Sequence, residues 1–202
     1  MIKAAALVSG SGANLQAVLD SVYFNEIPDF ELSAVISNEP DSYALTRAKN
    51  AGIPCYAVDA ADFPTPLSYS MAISAKLRDM DIDLVILAGY AMPLGVISNQ
   101  FRNRVIGTYP ALVPAFEGSE DPVRAALERG CKVSGATAYF ADADGHIGPI
   151  ILQQAVDILP DDSVEALRRR IMEDAEWKIL PRALILYCRN ELQIHGDRVI
   201  LK

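Results

Sequence analysis

The stretch Ser9-Gly10-Ser11-Gly12-Ala13-Asn14 has the residue types of a turn that holds a phosphate. Glycines let the backbone pass close to a ligand. If a helix opens at this point, the amides of Gly12, Ala13 and Asn14 point at an anion with the helix dipole behind them. A tight turn with no ligand would have the same composition, and the third glycine of a dinucleotide fingerprint is missing because Leu15 stands there. A second candidate is His146, in Asp142-Ala143-Asp144-Gly145-His146-Ile147-Gly148-Pro149. It offers a general acid or base, against the alternative of a solvated turn histidine. Tyr109, just before Pro110, offers a proton donor at a strand end, against a tyrosine packed at the rim. Asp142 and Asp144 lack the spacing and terminal glutamate of an EF-hand, so no metal is expected. His195 reads as an exposed hairpin residue.

These residues need a frame to position them, and the apolar pattern supplies one. Ile2–Ser9 and Leu84–Ala88 are short continuous apolar runs, as expected of strands buried on both faces. Leu32–Ser37 and Cys55–Val58 read as two further strands. Helices are expected at Leu15–Val22, at Tyr43–Ala51 before Gly52, and from the Thr65-Pro66 start to about Met80. This alternation predicts an α/β fold with a doubly wound, largely parallel sheet, whose ligands bind beyond the carboxyl ends of the strands. In the second half, Pro93–Phe101 reads as a short helix, Val105–Tyr109 as a strand and Pro122–Arg129 as a helix. Ser134–Phe140 and Ile150–Ile158 read as strands flanking a turn at Asp142–Gly148. Asp162 and Glu165 form a capping-box pattern for a helix reaching about Tyr187, kinked or split by Pro181. Gln193–Ile194 and Val199–Leu201 read as a C-terminal hairpin.

The formal net charge of −8 repels polyanions, which argues against nucleic acid and anionic membranes as partners. Cys55, Cys131 and Cys188 are scattered and odd in number, with only two histidines in the chain. A zinc site is therefore not expected, and the cysteines read as small buried residues of a reducing compartment. With no signal-peptide pattern and no apolar run of about 18 residues, a cytoplasmic location is expected.

Several strings sit in the order and at nearly the distances of one known family: SGSGANLQAVLDS, AVISNEPDSYALTRAKNAGIP, DLVILAGY, YPALVPAFEG, GCKVSGATAYFADADGHIGPIILQQAV, LPDDS and LPRAL. The chain resembles the glycinamide ribonucleotide (phosphoribosylglycinamide) formyltransferase family over almost its whole length. The resemblance implies a Rossmann-like formyltransferase domain spanning residues 1–202. Within it, 1–100 form a nucleotide-phosphate half, 101–190 a folate and catalytic half, and 191–202 the hairpin. It also implies transfer of a formyl group from 10-formyltetrahydrofolate to the amine of a phosphorylated small molecule in purine biosynthesis, by a monomer or homodimer that needs no metal.

The family performs this transfer with an Asn and a His in an Asn-x-His-Pro-Ser stretch and an Asp just before a Gly-Pro-Ile turn. Here the Asn position is Gly107, the His position Tyr109 and the Asp position His146, with Ala111 in place of the serine. Trp177 stands where a histidine is common. The phosphate turn is retained at Gly12, Ala13 and Asn14, and Glu176 matches the family glutamate that holds the ribose hydroxyls. On the folate side the matching segments contain Met92 and Leu94 and the turn residues Ala143 and Asp144. Formyl transfer is therefore expected to be absent or altered. The alternatives are a phosphate-binding or regulatory protein on the same scaffold, or a different reaction through Tyr109 and His146. The family places residues at those two positions side by side, so the pair is expected to face one cleft within reach of each other.

Overall fold

The computed structural model describes residues 1–202 as one nine-stranded sheet with helices on both faces. The two apolar runs are its central strands, β1 (Ile2–Val8) and β4 (Leu84–Ala88), parallel and in register from Ala4 opposite Leu84. Outside β1 lie β2 (Phe30–Ser37) and β3 (Cys55–Ala57), and beyond β4 lies β5 (Val105–Tyr109), all parallel. β6 (Val133–Ala141) and β7 (Ile147–Asp157) continue the sheet antiparallel to β5 and to each other. The terminal hairpin of β8 (Leu192–His195) and β9 (Arg198–Leu201) closes the order β3-β2-β1-β4-β5-β6-β7-β9-β8. The hairpin joins the sheet through the single pairing of Ile150 with Arg198.

Side chains alternate across a strand, and the burial follows that alternation. Ala4, Ala6, Val8, Leu84, Ile86 and Ile106 face one layer, with Leu15 and Val18 of α1 (Ala13–Tyr23), Ala44 and Ala48 of α2 (Tyr43–Asn50), Val123 of α5 (Pro122–Glu128), and Leu180 and Leu184 of α7 (Trp177–Cys188). The opposite layer is Ala5, Leu7, Val85, Leu87 and Val105 against Tyr69, Ile73 and Leu77 of α3 (Pro66–Asp79) and Ile97 of α4 (Val96–Gln100). The strand order reverses between β1 and β4, so a crevice opens at their carboxyl ends. No helix is long and apolar enough to cross a membrane.

At α3 the expected start is made by a reciprocal pair: Thr65 Oγ1 accepts from the Ser68 amide at 3.1 Å and Ser68 Oγ from the Thr65 amide at 3.2 Å. Elsewhere the sequence patterns mislead. The cap of α6 (Val164–Ile171) is Ser163, which accepts from the Ala166 amide at 3.1 Å, and not Asp162. The Asp162 carboxylate is taken by Arg170, with contacts of 2.5 and 2.7 Å, and by the Leu159 amide at 2.8 Å. Pro181 does not split the helix; its ring is buried inside α7. The irregularity lies earlier, in a π-helical turn at Met172–Glu176. α4 begins only at Val96 because Pro93 and Leu94 form an irregular approach, with the Leu94 side chain buried in the second layer. The β6–β7 turn is tighter than expected, as the strands run on to Ala141 and from Ile147. All three cysteines are free and half-buried rather than buried.

Candidate active site

Residues at the crevice form a cleft of about 310 Å³ between the ends of β1, β4 and β5 and the helical segment after β7. Its floor is the glycine-rich turn. Gly12 caps α1 at φ 66 with no side-chain capping bond. The carbonyls of this turn are tied back into the fold: Gly10 O accepts from Ser42 Oγ at 2.7 Å, and Ser11 O from Arg47 Nε at 2.9 Å. The amides of Gly12, Ala13 and Asn14 have no protein acceptor. Opening an uncapped helix, they form a donor cluster suited to a phosphate.

Glu176 faces this cluster from the π turn. It is 9% exposed, and its Oε1 accepts from Thr108 Oγ1 at 2.7 Å and Asn14 Nδ2 at 3.1 Å. Both bonds fall on one oxygen, which leaves Oε2 for ligand hydroxyls. Burial holds the carboxyl above the usual carboxylate range, partly opposed by the Thr108 and Asn14 bonds. Arg168 and Met172 line the same wall. An i→i+5 turn rotates the chain less per residue than an α turn, so the π segment keeps Glu176 on the face of Arg168 and Met172. Arg168 is the cationic side chain of the cleft, resting 2.9 Å from Asp121 Oδ1. Sequence reasoning missed it, since nothing in a run of three arginines says which one faces the cleft.

A carboxyl whose pKa is raised by folding stabilises most when protonated. Stability is therefore lost as pH rises from its unfolded value through its folded one. Glu176→Gln, which keeps the acceptor for Thr108 and Asn14, is expected to melt level with the unaltered chain at about pH 4 and above it at about pH 8. Melting curves across this range check it; a Glu176→Gln chain that melts lower at high pH would show that the charge is not the cost.

Tyr109 and His146 are not joined. The Tyr109 hydroxyl donates to the carbonyls of Phe116 at 2.7 Å and Ser119 at 3.2 Å, so it ties down the loop after β5. Burial raises its pKa further from neutrality. The His146 side chain is 77% exposed, with Nδ1 3.9 Å from Asp142 Oδ2. No hydrogen bond links it to Tyr109, so the two expected neighbours make no direct contact in this geometry. At Gly107 no side-chain donor exists. A Cβ placed there would lie 3.1 Å from Leu87 Cβ and 3.3 Å from the hydroxyl of Tyr139.

In the segment that the resemblance matched to the family's folate side, the amides of Met92 and Leu94 have no protein acceptor, an arrangement that suits backbone recognition of a flat heterocycle. The Ala143 carbonyl is already taken by Ser98 Oγ at 2.9 Å, and Asp144 is exposed. Asp142, Asp144 and His146 bring ligand atoms within 4.8 Å of one another. Asp142 Oδ1, however, already accepts from the amides of Asp144 at 2.9 Å and His146 at 2.8 Å. The turn is thus built from Asp142 by local bonding.

A sheet with uncapped amides at its switch point and a buried carboxylate facing them defines a Rossmann-like α/β protein with a polar cleft at its strand ends. The chain belongs to the formyl transferase family, whose model matches residues 2–184. It is 34% identical over 202 residues to the phosphoribosylglycinamide formyltransferase of Haemophilus influenzae, covering 100% of this chain and 94% of that one. Among solved structures, glycinamide ribonucleotide transformylase 1 from Symbiobacterium toebii is 42% identical with a TM-score of 0.95, covering 100% of this chain and 94% of that chain. The phosphoribosylglycinamide formyltransferase of Anaplasma phagocytophilum is 29% identical with a TM-score of 0.89, covering 100% of this chain and 94% of that chain.

Proposed function

We infer that this chain binds a phosphoribosyl amine in the Gly12–Glu176 cleft and transfers a formyl group to it from 10-formyltetrahydrofolate, more slowly than its relatives do. The observation that carries the reading is the cleft itself: three free amides opening α1 face a buried carboxylate with one unused oxygen. A phosphate fits the first and a ribose diol the second. The reduced rate follows from Gly107, from the commitment of the Tyr109 hydroxyl to loop carbonyls, and from the exposure of His146. A cytoplasmic location, a single functional domain and independence of metal belong to the same proposal. Those three replacements also favour a second reading, in which the cleft binds the phosphorylated ligand without chemistry.

Thermal-shift measurements with glycinamide ribonucleotide and with reduced folates test the binding, because a ligand held by the folded state raises the midpoint in proportion to its saturation. Both ligands are expected to raise it, and formylated product is expected to accumulate when both are present. A midpoint indifferent to glycinamide ribonucleotide would overturn the proposal. Binding of both without any product would leave the second reading.

Within this proposal Arg168 leaves Asp121 to pair with the ligand phosphate. Arg168→Ala is expected to weaken glycinamide ribonucleotide binding about tenfold, the scale of one charge-assisted contact to a partly solvated phosphate. Folate binding should not change. Calorimetric titration of each ligand separately reads both effects.

A further inference from the structure

Position 107 lies directly opposite Tyr139 in the antiparallel pairing of β5 with β6. A side chain beginning at Gly107 would run at once into the Tyr139 hydroxyl, 3.3 Å from the Cβ position, and into Leu87 Cβ at 3.1 Å. The Tyr139 ring thus carries its hydroxyl into the space that a donor at position 107 would fill. Gly107, Tyr109 and Tyr139 share one face of the sheet, the face of Leu87 and Val105. The hydroxyl and carboxyl groups of Tyr109, Glu176 and Tyr139 differ in their freedom. Tyr109 donates to two loop carbonyls, Glu176 accepts from Thr108 and Asn14, and Tyr139 has no hydrogen-bond partner in the protein. Burial, with Tyr109 and Glu176 as nearby negative groups on ionisation, pushes the Tyr139 phenol up to about 12. At neutral pH it keeps its proton and can only donate it in a hydrogen bond or accept one.

We propose that the Tyr139 hydroxyl is the hydrogen-bond donor to the formyl oxygen during transfer, in place of a side chain at position 107. The inference rests on the formyltransferase reading of the cleft. In the step it serves, the amine nitrogen of the acceptor forms a bond to the formyl carbon, and the carbonyl electron pair moves onto oxygen. The Tyr139 O–H stabilises that oxygen and keeps its proton. The oxygen pair then returns, the bond from carbon to the folate nitrogen breaks, and that nitrogen takes up the proton lost by the amine. A donor aimed at charge that develops only in the transition state acts on kcat and not on substrate binding.

Tyr139→Phe removes the hydroxyl and keeps the ring. It is expected to lower kcat about 10²-fold, the usual loss for one such donor. KM for both substrates should stay within about threefold, and the melting midpoint should not fall. Adding Gly107→Asn to Tyr139→Phe fills the vacated space with an amide donor and should recover about tenfold. Gly107→Asn alone, crowded by Tyr139, should not raise the rate. If the unaltered chain transfers formyl groups and Tyr139→Phe leaves kcat within twofold, this inference is wrong while the formyltransferase reading stands. If the unaltered chain binds both substrates and forms no product, that reading falls and takes this inference with it.

Discussion

In steady state with glycinamide ribonucleotide and 10-formyltetrahydrofolate, the unaltered chain is expected to turn over at least about 10²-fold below the ~10 s⁻¹ median of enzymes. Losing one preorganised donor typically costs about 10²–10³ in rate, and the proposed function counts three positions, Gly107, Tyr109 and His146, as replaced together. Residues that act as a unit do not contribute additively, so the deficit should fall well short of three such factors multiplied. On the reading proposed above, what remains is positioning by the cleft and the Tyr139 hydroxyl. Changing Gly107→Asn, Tyr109→His and His146→Asp together is expected to raise kcat more than any one of them. The gain should remain incomplete, for two reasons visible in the fold. A side chain at 107 meets Leu87 and Tyr139 within 3.3 Å. Replacing Tyr109 also frees the carbonyls of Phe116 and Ser119, which its hydroxyl now holds. A turnover near 10 s⁻¹ from the unaltered chain would overturn the expectation and assign full competence to the present residues.

The ease with which this fold reads from sequence has a local cause. β1 and β4 are buried on both faces, so their apolar character is unbroken and shows as a run. The Thr65-Pro66 start was legible because every partner of that cap lies within three residues. Asp162 and Ser163 present the opposite case. Both are good caps, and the choice is made by Arg170, a full two turns along the next helix, whose guanidinium takes the Asp162 carboxylate. Such a decision is tertiary and leaves no mark in the local pattern. The same holds in the site. The glycine turn announces itself, whereas Arg168 shares a wall with Glu176 through a π turn at Met172–Glu176 that no local pattern marks. Nor could residue types show that Tyr109 would be claimed by its own loop. Its hydroxyl partners are backbone carbonyls, which every residue carries. Tyr139 escaped notice for a related reason, since its place beside position 107 depends on strand register opposite a glycine.

Gly12→Ala is expected to be the most damaging single-carbon change in the Ser9–Asn14 turn. Gly12 stands at φ 66, and a Cβ there would lie 2.6 Å from Ala44 Cβ and 2.7 Å from Ala44 Cα. The left-handed conformation alone costs a non-glycine residue roughly 1–2 kcal/mol, and overpacking of this kind adds about 1–3 kcal/mol. Against a usual total of about 5–15 kcal/mol, a loss of this size should lower the melting midpoint by roughly 5–15 °C for a domain of this length. The strain falls on the contact between α1 and α2 that aims the Gly12–Asn14 amides, so phosphate binding should weaken with it. Gly10→Ala separates the two terms: Gly10 is also left-handed, at φ 57, yet has nothing within 4 Å of a Cβ. It should show the conformational cost alone, roughly 2–8 °C. Combining Gly12→Ala with Ala44→Gly removes the nearer of the two clashes and should return part of the midpoint. Equal midpoints for Gly10→Ala and Gly12→Ala would mean that α2 yields freely, and that the turn is not held by its contact with Ala44.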